Sequence, residues 1–105
     1  MADVKNIDDS NFEQVIGEGL TIVDFWAPWC QPCLIQGPIL EKVAQKVADK
    51  AKVCKLNVDE NMATPGKFGI TGIPTMIIFK DGEPAKQFVG VQDENTLVQA
   101  VESLH

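Results

Sequence analysis

Leu20-Thr21-Ile22-Val23-Asp24-Phe25-Trp26-Ala27 leads directly into Pro28-Trp29-Cys30-Gln31-Pro32-Cys33, and the reading of this join decides the fold. Residues 20–27 are apolar on both alternating faces, as expected of a central strand covered on both sides; Asp24 is the one interruption. Downstream of Cys33 the period changes. Ile35, Ile39, Val43 and Val47 fall on one helical stripe that drifts towards Leu40 and Ala44, which predicts a helix from about Cys33 to Asp49. Pro38 lies inside that helix, where it removes one backbone hydrogen bond and should bend the axis.

Working outward, Val4 to Ile7 is a short strand candidate, and Asp9 or Ser10 can cap a helix running to about Gly17. Lys52 to Val58 reads as a strand, and residues 59–72, with Pro65, Gly66, Gly69 and Gly72, as a connection holding a short helix. Thr75 to Phe79 is strongly β-prone; Asp81-Gly82 then signals a hairpin into a strand over Ala85 to Val89. Leu97, Val101 and Leu104 place a last helix over about Glu94 to Leu104. Helices join the first strands, favouring parallel pairing, and a tight turn joins the last two, requiring antiparallel pairing. The expectation is an α/β fold with a mixed central sheet, helices on both faces, and one domain over residues 1–105.

Composition narrows the function. The chain has 105 residues, 45% of them hydrophobic, and a formal charge of −6 without any basic cluster, which argues against a nucleic-acid surface. Its longest uncharged stretch, the 16 residues from Phe25 to Leu40, contains three prolines and two glutamines and is no membrane span. Met1 to Asp9 has neither the positive region nor the apolar segment of a secretory signal, so a cytoplasmic location is expected. Three cysteines in such a chain point to redox or metal chemistry rather than to a disulfide framework.

Cys30 and Cys33 are three apart where a strand ends and a helix begins. At a helix entrance their side chains can meet, and the unpaired N–H groups and partial positive charge there favour a thiolate at Cys30. Pro32 fixes φ in the first turn without wasting a donor. Exchange chemistry needs an attacking thiolate and a nearby resolving thiol, the roles that Cys30 and Cys33 fit. The same spacing serves half a zinc site, but the remaining ligands on offer are Cys54 and the terminal His105. A third reading is a redox-independent interaction subunit that uses the fold and not the thiols. Cys54, in a strand, reads as a small buried hydrophobe.

The chain resembles the thioredoxin family over essentially its full length. The resemblance rests on Val23-Asp24-Phe25-Trp26-Ala27, Trp29-Cys30-x-Pro32-Cys33, Pro38, Lys55-Leu56-Asn57-Val58-Asp59, Gly69-Ile70, Gly72-Ile73-Pro74-Thr75, Phe79-Lys80-Asp81-Gly82 and Gly90. It implies the thioredoxin fold, a mixed five-stranded sheet flanked by about four helices. It also implies a thiol–disulfide oxidoreductase that needs no bound cofactor or metal beyond the Cys30–Cys33 disulfide. Asp24 is then the proton acceptor for Cys33, modulated by Lys55; the residue-level alternatives are a structural carboxylate and a solvated lysine. Pro74 is expected to be cis and to face the pair. Trp29, Gln31, Pro32, Gly72, Ile73 and Gly90 make up the implied substrate-binding set, with Trp26 and Pro38 structural. The implied partners are a thioredoxin reductase-like donor and protein disulfides bound by a monomer, with no nucleic acid or membrane involved.

Three departures from the family pattern bear on redox poise. Gln31 replaces the usual Gly between the cysteines, Leu34 stands where Lys is common, and Gln36-Gly37 replaces a more apolar, helix-favouring pair. Leu34 removes a cation that would favour the thiolate, whereas Gln31 offers a hydrogen-bond donor that would oppose that loss.

Overall fold

The computed structural model describes residues 3–105; Met1 and Ala2, part of the domain expected over 1–105, lie outside the described residues. In chain order the elements are β1 (Lys5–Ile7), α1 (Phe12–Ile16), β2 (Leu20–Trp26), α2 (Gln31–Lys46), β3 (Ala51–Asn57), α3 (Ala63–Lys67), β4 (Thr75–Lys80), β5 (Glu83–Val89) and α4 (Glu94–Leu104). The five strands form one sheet in the order β1-β3-β2-β4-β5. β3 runs parallel to both β1 and β2, while β4 is antiparallel to β2 and to β5. β2 is therefore central, which is why residues 20–25 are all buried and why its pattern does not alternate.

Two cores cover the two faces of the sheet. Ile22, Val53, Met76 and Ile78 pack with Leu40, Val43 and Val47 of the α2 region and with Leu97 and Val101 of α4. Val23, Phe25, Cys54, Leu56, Ile77 and Phe79 pack on the other face with Phe12 and Ile16 of α1. The rings of Phe12, Phe68 and Phe79 meet there with centroids 5.3–5.6 Å apart in tilted and edge-on arrangements. Removing such side chains from water is the main term holding the layers together, at about 1.5–3 kcal/mol for each fully buried large apolar residue.

Several expectations are corrected in detail. α2 begins at Gln31 and ends at Lys46, and its buried side is Cys33, Gln36, Leu40, Val43 and Ala44. Ile35, expected on the inner stripe, is 59% exposed. The stripe is rotated because Cys33, one turn inside the helix start, must face the core to meet Cys30. Asp9 does not cap α1, whose N-cap is Asn11 with no side-chain cap. Its carboxylate instead accepts from the backbone N–H of Ala63 and Thr64 and from the Thr64 hydroxyl, tying the chain before α1 to the start of α3. β5 starts at Glu83 rather than Ala85, because an edge strand accommodates Pro84 on its free side.

The β4–β5 turn follows its sequence signal, with Asp81 and Gly82 both at positive φ. Gly37, by contrast, sits in α2 with open space where a Cβ would project. Gly37→Ala should therefore raise stability by about 1 kcal/mol, read as a higher urea midpoint, with disulfide reductase turnover unchanged. Loss of turnover in a fully folded variant would contradict this account of the helix.

Candidate active site

β2 and α2 meet at the site. Cys30 is the N-cap of α2, with extended backbone (φ −91°, ψ 110°), and its sulfur accepts a hydrogen bond from the Cys33 backbone N–H at 3.2 Å. A cysteine sulfur here occupies the place that a Ser or Asp oxygen takes in most helix caps. The turn is closed by Cys30 N–H donating to Ala27 O at 3.2 Å and by Leu34 N–H donating to Cys30 O at 3.1 Å. The two cysteines are joined as a disulfide, with Cα atoms 5.2 Å apart. Pro32 lies in the first turn, where its missing N–H costs nothing.

Around the pair, Cys30, Cys33 and Ala27 form a small buried cluster flanked by Trp26, Val58 and Ile73. In this disulfide form Cys30 is only 5% exposed. Its Sγ lies 3.8 Å from the carbonyl oxygen of Ile73, and the Ile73–Pro74 peptide is cis. Gly90 N–H donates to Pro74 O at 2.8 Å, which brings the Gly90 loop alongside the same segment, and Gly90 itself has φ +89°. Gly72 closes that side, where an added Cβ would come within 3.8 Å of Val89. Pro74 is buried, Gly72, Ile73 and Gly90 are half-buried, and Gln31 and Pro32 are exposed.

Trp29 is 68% exposed, yet its ring is not free to turn. Its indole N–H donates to the Asp59 carboxylate, 2.9 Å from one oxygen and 3.2 Å from the other. The backbone N–H of Asp59 donates in turn to Asn57 Oδ1 at 2.9 Å. Asp59 is a site residue that sequence reasoning left without a role. The available signal was its position just beyond β3, the strand paired with β2, at the end of the sheet where Trp29 emerges.

Asp24 lies on β2 two residues beyond Ile22, hence on the face covered by α2 and α4, and is 2% exposed. It stands opposite Lys55 on β3 and Met76 on β4. One carboxylate oxygen, Oδ1, has no protein hydrogen-bond partner. Burial pushes the Asp24 carboxyl up from its ordinary 3.8 to about 7, against the opposing pull of the Lys55 ammonium. That ammonium sits 4.7 Å from the centre of the Trp26 ring, a cation–π contact that holds the charge beneath the site. Pro38, one turn and more beyond Cys33, is exposed within α2.

The third cysteine plays no part in this arrangement. Cys54 belongs to the core on the opposite face of the sheet from α2, and burial raises its thiol pKa. Among the described residues no three His, Cys, Asp or Glu side chains gather as a metal site. No helix among them is long and apolar enough to cross a membrane.

A family model described as Thioredoxin matches residues 3–103, which take in every strand and helix but the last residue of α4. The chain belongs to the thioredoxin family. It is 48% identical over 102 residues to a thioredoxin of Staphylococcus saprophyticus, covering 97% of each chain. It is 52% identical over 90 residues to a thioredoxin of Alicyclobacillus acidocaldarius, covering 85% of this chain and 86% of that one. Among solved structures, a mutant thioredoxin from Halobacterium salinarum superposes with a TM-score of 0.89 at 34% identity, covering 96% of this chain and 89% of that one. The five-stranded mixed sheet with four helices is thus the thioredoxin fold. With the Cys30–Cys33 pair at disulfide distance, the activity is thiol–disulfide oxidoreduction.

The burial of Asp24 has a thermodynamic consequence. A carboxyl whose pKa is 3.8 unfolded and about 7 folded keeps its proton in the folded protein over that window while the unfolded chain releases it. Stability therefore falls as pH rises between the two values, by at most about 4 kcal/mol. In Asp24→Asn this dependence disappears. The stability difference between variant and parent should be constant below about pH 4, grow in the variant's favour to pH 7, and level off above it. Urea unfolding across that range measures it, and a pH-independent difference would show that Asp24 is not held protonated.

Proposed function

We propose that the protein is a general cytoplasmic reductant of protein disulfides, acting as a one-domain monomer and recharged by a thioredoxin reductase-like donor. The observation that carries this reading is a disulfide at a helix N-terminus, with an exposed apolar rim and the Ile73 carbonyl beside its sulfur. In the reduced protein the Cys30 thiolate attacks one sulfur of a substrate disulfide. That bond breaks, a Cys30–substrate disulfide forms, and the departing substrate sulfur takes a proton. Cys33 then gives its proton to the Asp24 carboxylate and attacks the Cys30 sulfur; the Cys30–substrate bond breaks, and the second substrate sulfur leaves as a thiolate that takes that proton back from Asp24. Two electrons have passed to the substrate, and the protein is left as the Cys30–Cys33 disulfide. The donor returns two electrons and two protons.

A carboxyl titrating near 7 suits this work, since it can accept and return a proton at neutral pH. Lys55 modulates Asp24 by favouring its ionised form. Trp29, Gln31, Pro32, Gly72, Ile73 and Gly90 bind the substrate. The Ile73 backbone pairs with an extended substrate segment, a mode that depends on main-chain groups and so tolerates many sequences. The absence of side chains at Gly72 and Gly90 leaves room for that segment. Trp26 and Pro38 are structural. The rim around the cysteines carries Trp29, Leu34 and Ile35, all exposed, and no charge from Phe25 to Leu40. Such a surface selects for accessible disulfides more than for particular partners.

Cys30→Ser should abolish reduction of insulin disulfides, and Cys33→Ser should accumulate a mixed disulfide through Cys30, visible as a mass increase lost on adding dithiothreitol. Full turnover by Cys30→Ser would overturn the assignment. Partner binding that persisted in the double serine variant would instead favour a redox-independent interaction subunit.

A further inference from the structure

Gln36 is the one polar side chain on the buried face of α2, where Leu40, Val43 and Ala44 are its neighbours in the pattern, and it is fully buried. It lies three residues beyond Cys33, so both project from the same side of the helix. A buried amide is costly unless its hydrogen bonds are made, and here both ends make them to one residue of another segment. Gln36 Nε2 donates to Gln92 O at 3.0 Å, and Gln92 N–H donates to Gln36 Oε1 at 2.8 Å. The Gln92 side chain turns back so that its Nε2 donates to Gly90 O at 3.3 Å, and Gly90 N–H donates to Pro74 O at 2.8 Å. The hydrogen bonds thus run from the helix behind Cys33, through the Gly90 loop, to the cis Ile73–Pro74 segment beside Cys30.

We infer that Gln36 is a positioning residue for protein substrates: its two-point clamp on Gln92 holds the Gly90 loop at a fixed distance from the cysteine helix, setting the width of the groove. This rests on the reading of the Gly90 loop as a wall of the substrate groove. An apolar side chain at this position would fill the same space and leave the loop attached by the Pro74 bond alone. The departure from the family pattern at Gln36 therefore acts on recognition, whereas Gln31 and Leu34, next to the cysteines in sequence, are exposed.

The test separates recognition from thiol chemistry. In reduced Gln36→Leu the second-order rate constant with insulin should fall about tenfold. The rate with dithiobis(nitrobenzoate), a small disulfide that needs no groove, and the equilibrium potential against glutathione should be unchanged. Amide hydrogen exchange at Gly90, Val91 and Gln92 should quicken. Gln36→Glu keeps the acceptor for Gln92 N–H but buries a carboxylate oxygen against Gln92 O, so its insulin rate should fall at least as far; Gln36→Met, which fills the space without either hydrogen bond, should behave like Gln36→Leu and stands in if the leucine variant does not fold. A parallel fall with both disulfides, or a shifted potential, would overturn the inference by showing that Gln36 acts on the cysteines. To test the underlying reading, a cysteine peptide is trapped on Cys30 of Cys33→Ser and the Gly90 and Val91 amide resonances are recorded. If they do not shift, the groove reading fails and the inference with it. If they shift but Gln36→Leu and Gln36→Glu reduce insulin at the parent rate, the groove stands and the clamp alone is wrong.

Discussion

The hydrogen bond from Cys33 N–H to the Cys30 sulfur can form only if a buried strand stops and a helix starts within a few residues, and much of the molecule serves that requirement. β2 must be central so that its end is held by neighbours on both sides, and β3 and β4 supply them. α2 must be packed along its length so that its first turn does not fray, and Leu40, Val43 and Ala44 supply that packing against the sheet and α4. With both conditions met, the Cys33 N–H of the first turn donates to the Cys30 sulfur at the positive end of the helix. The packing of the fold and the placing of the Cys30 sulfur thus meet at one helix end.

Charge is distributed to suit the same site. The cysteine turn and its rim carry none, while a single carboxyl is buried underneath and a single ammonium stands beside it. Burial of Asp24 raises its carboxyl pKa to about 7 and so destabilises the fold at neutral pH. Lys55 is kept over the Trp26 ring, near enough to favour the carboxylate. Asp59 sits outside the rim and fixes Trp29 through its indole N–H, so that the exposed face of the ring is presented in one orientation.

The elements legible in the sequence were those whose signals are local. The apolar run of β2 with Asp24 its one interruption, the proline inside the first turn of α2, and the Asp81-Gly82 turn each carry their reason within a few residues. The cysteine pair and Asp24 were legible because their chemistry is rare in such surroundings. What stayed hidden depended on distant partners. Asp9 looks like a cap for α1 and is used by α3, more than fifty residues away. Ile35 fits a helical stripe by period, but the need to turn Cys33 inward rotates the helix and leaves Ile35 outside. Gln36 reads only as a departure from an apolar position, because its partner Gln92 is brought to it by the return of the chain after β5. The cis geometry before Pro74 followed from the family resemblance and not from any local signal.

The proposed role of the helix entrance is to make Cys30 the reactive thiol. It is tested most directly by the pH dependence of iodoacetamide alkylation of the reduced protein, with the modified cysteine identified by mass. Cys30 should react first, with an apparent pKa below the ~8.5 of a free cysteine thiol. Alkylation of Cys33 ahead of Cys30, or a Cys30 pKa at or above that value, would contradict it.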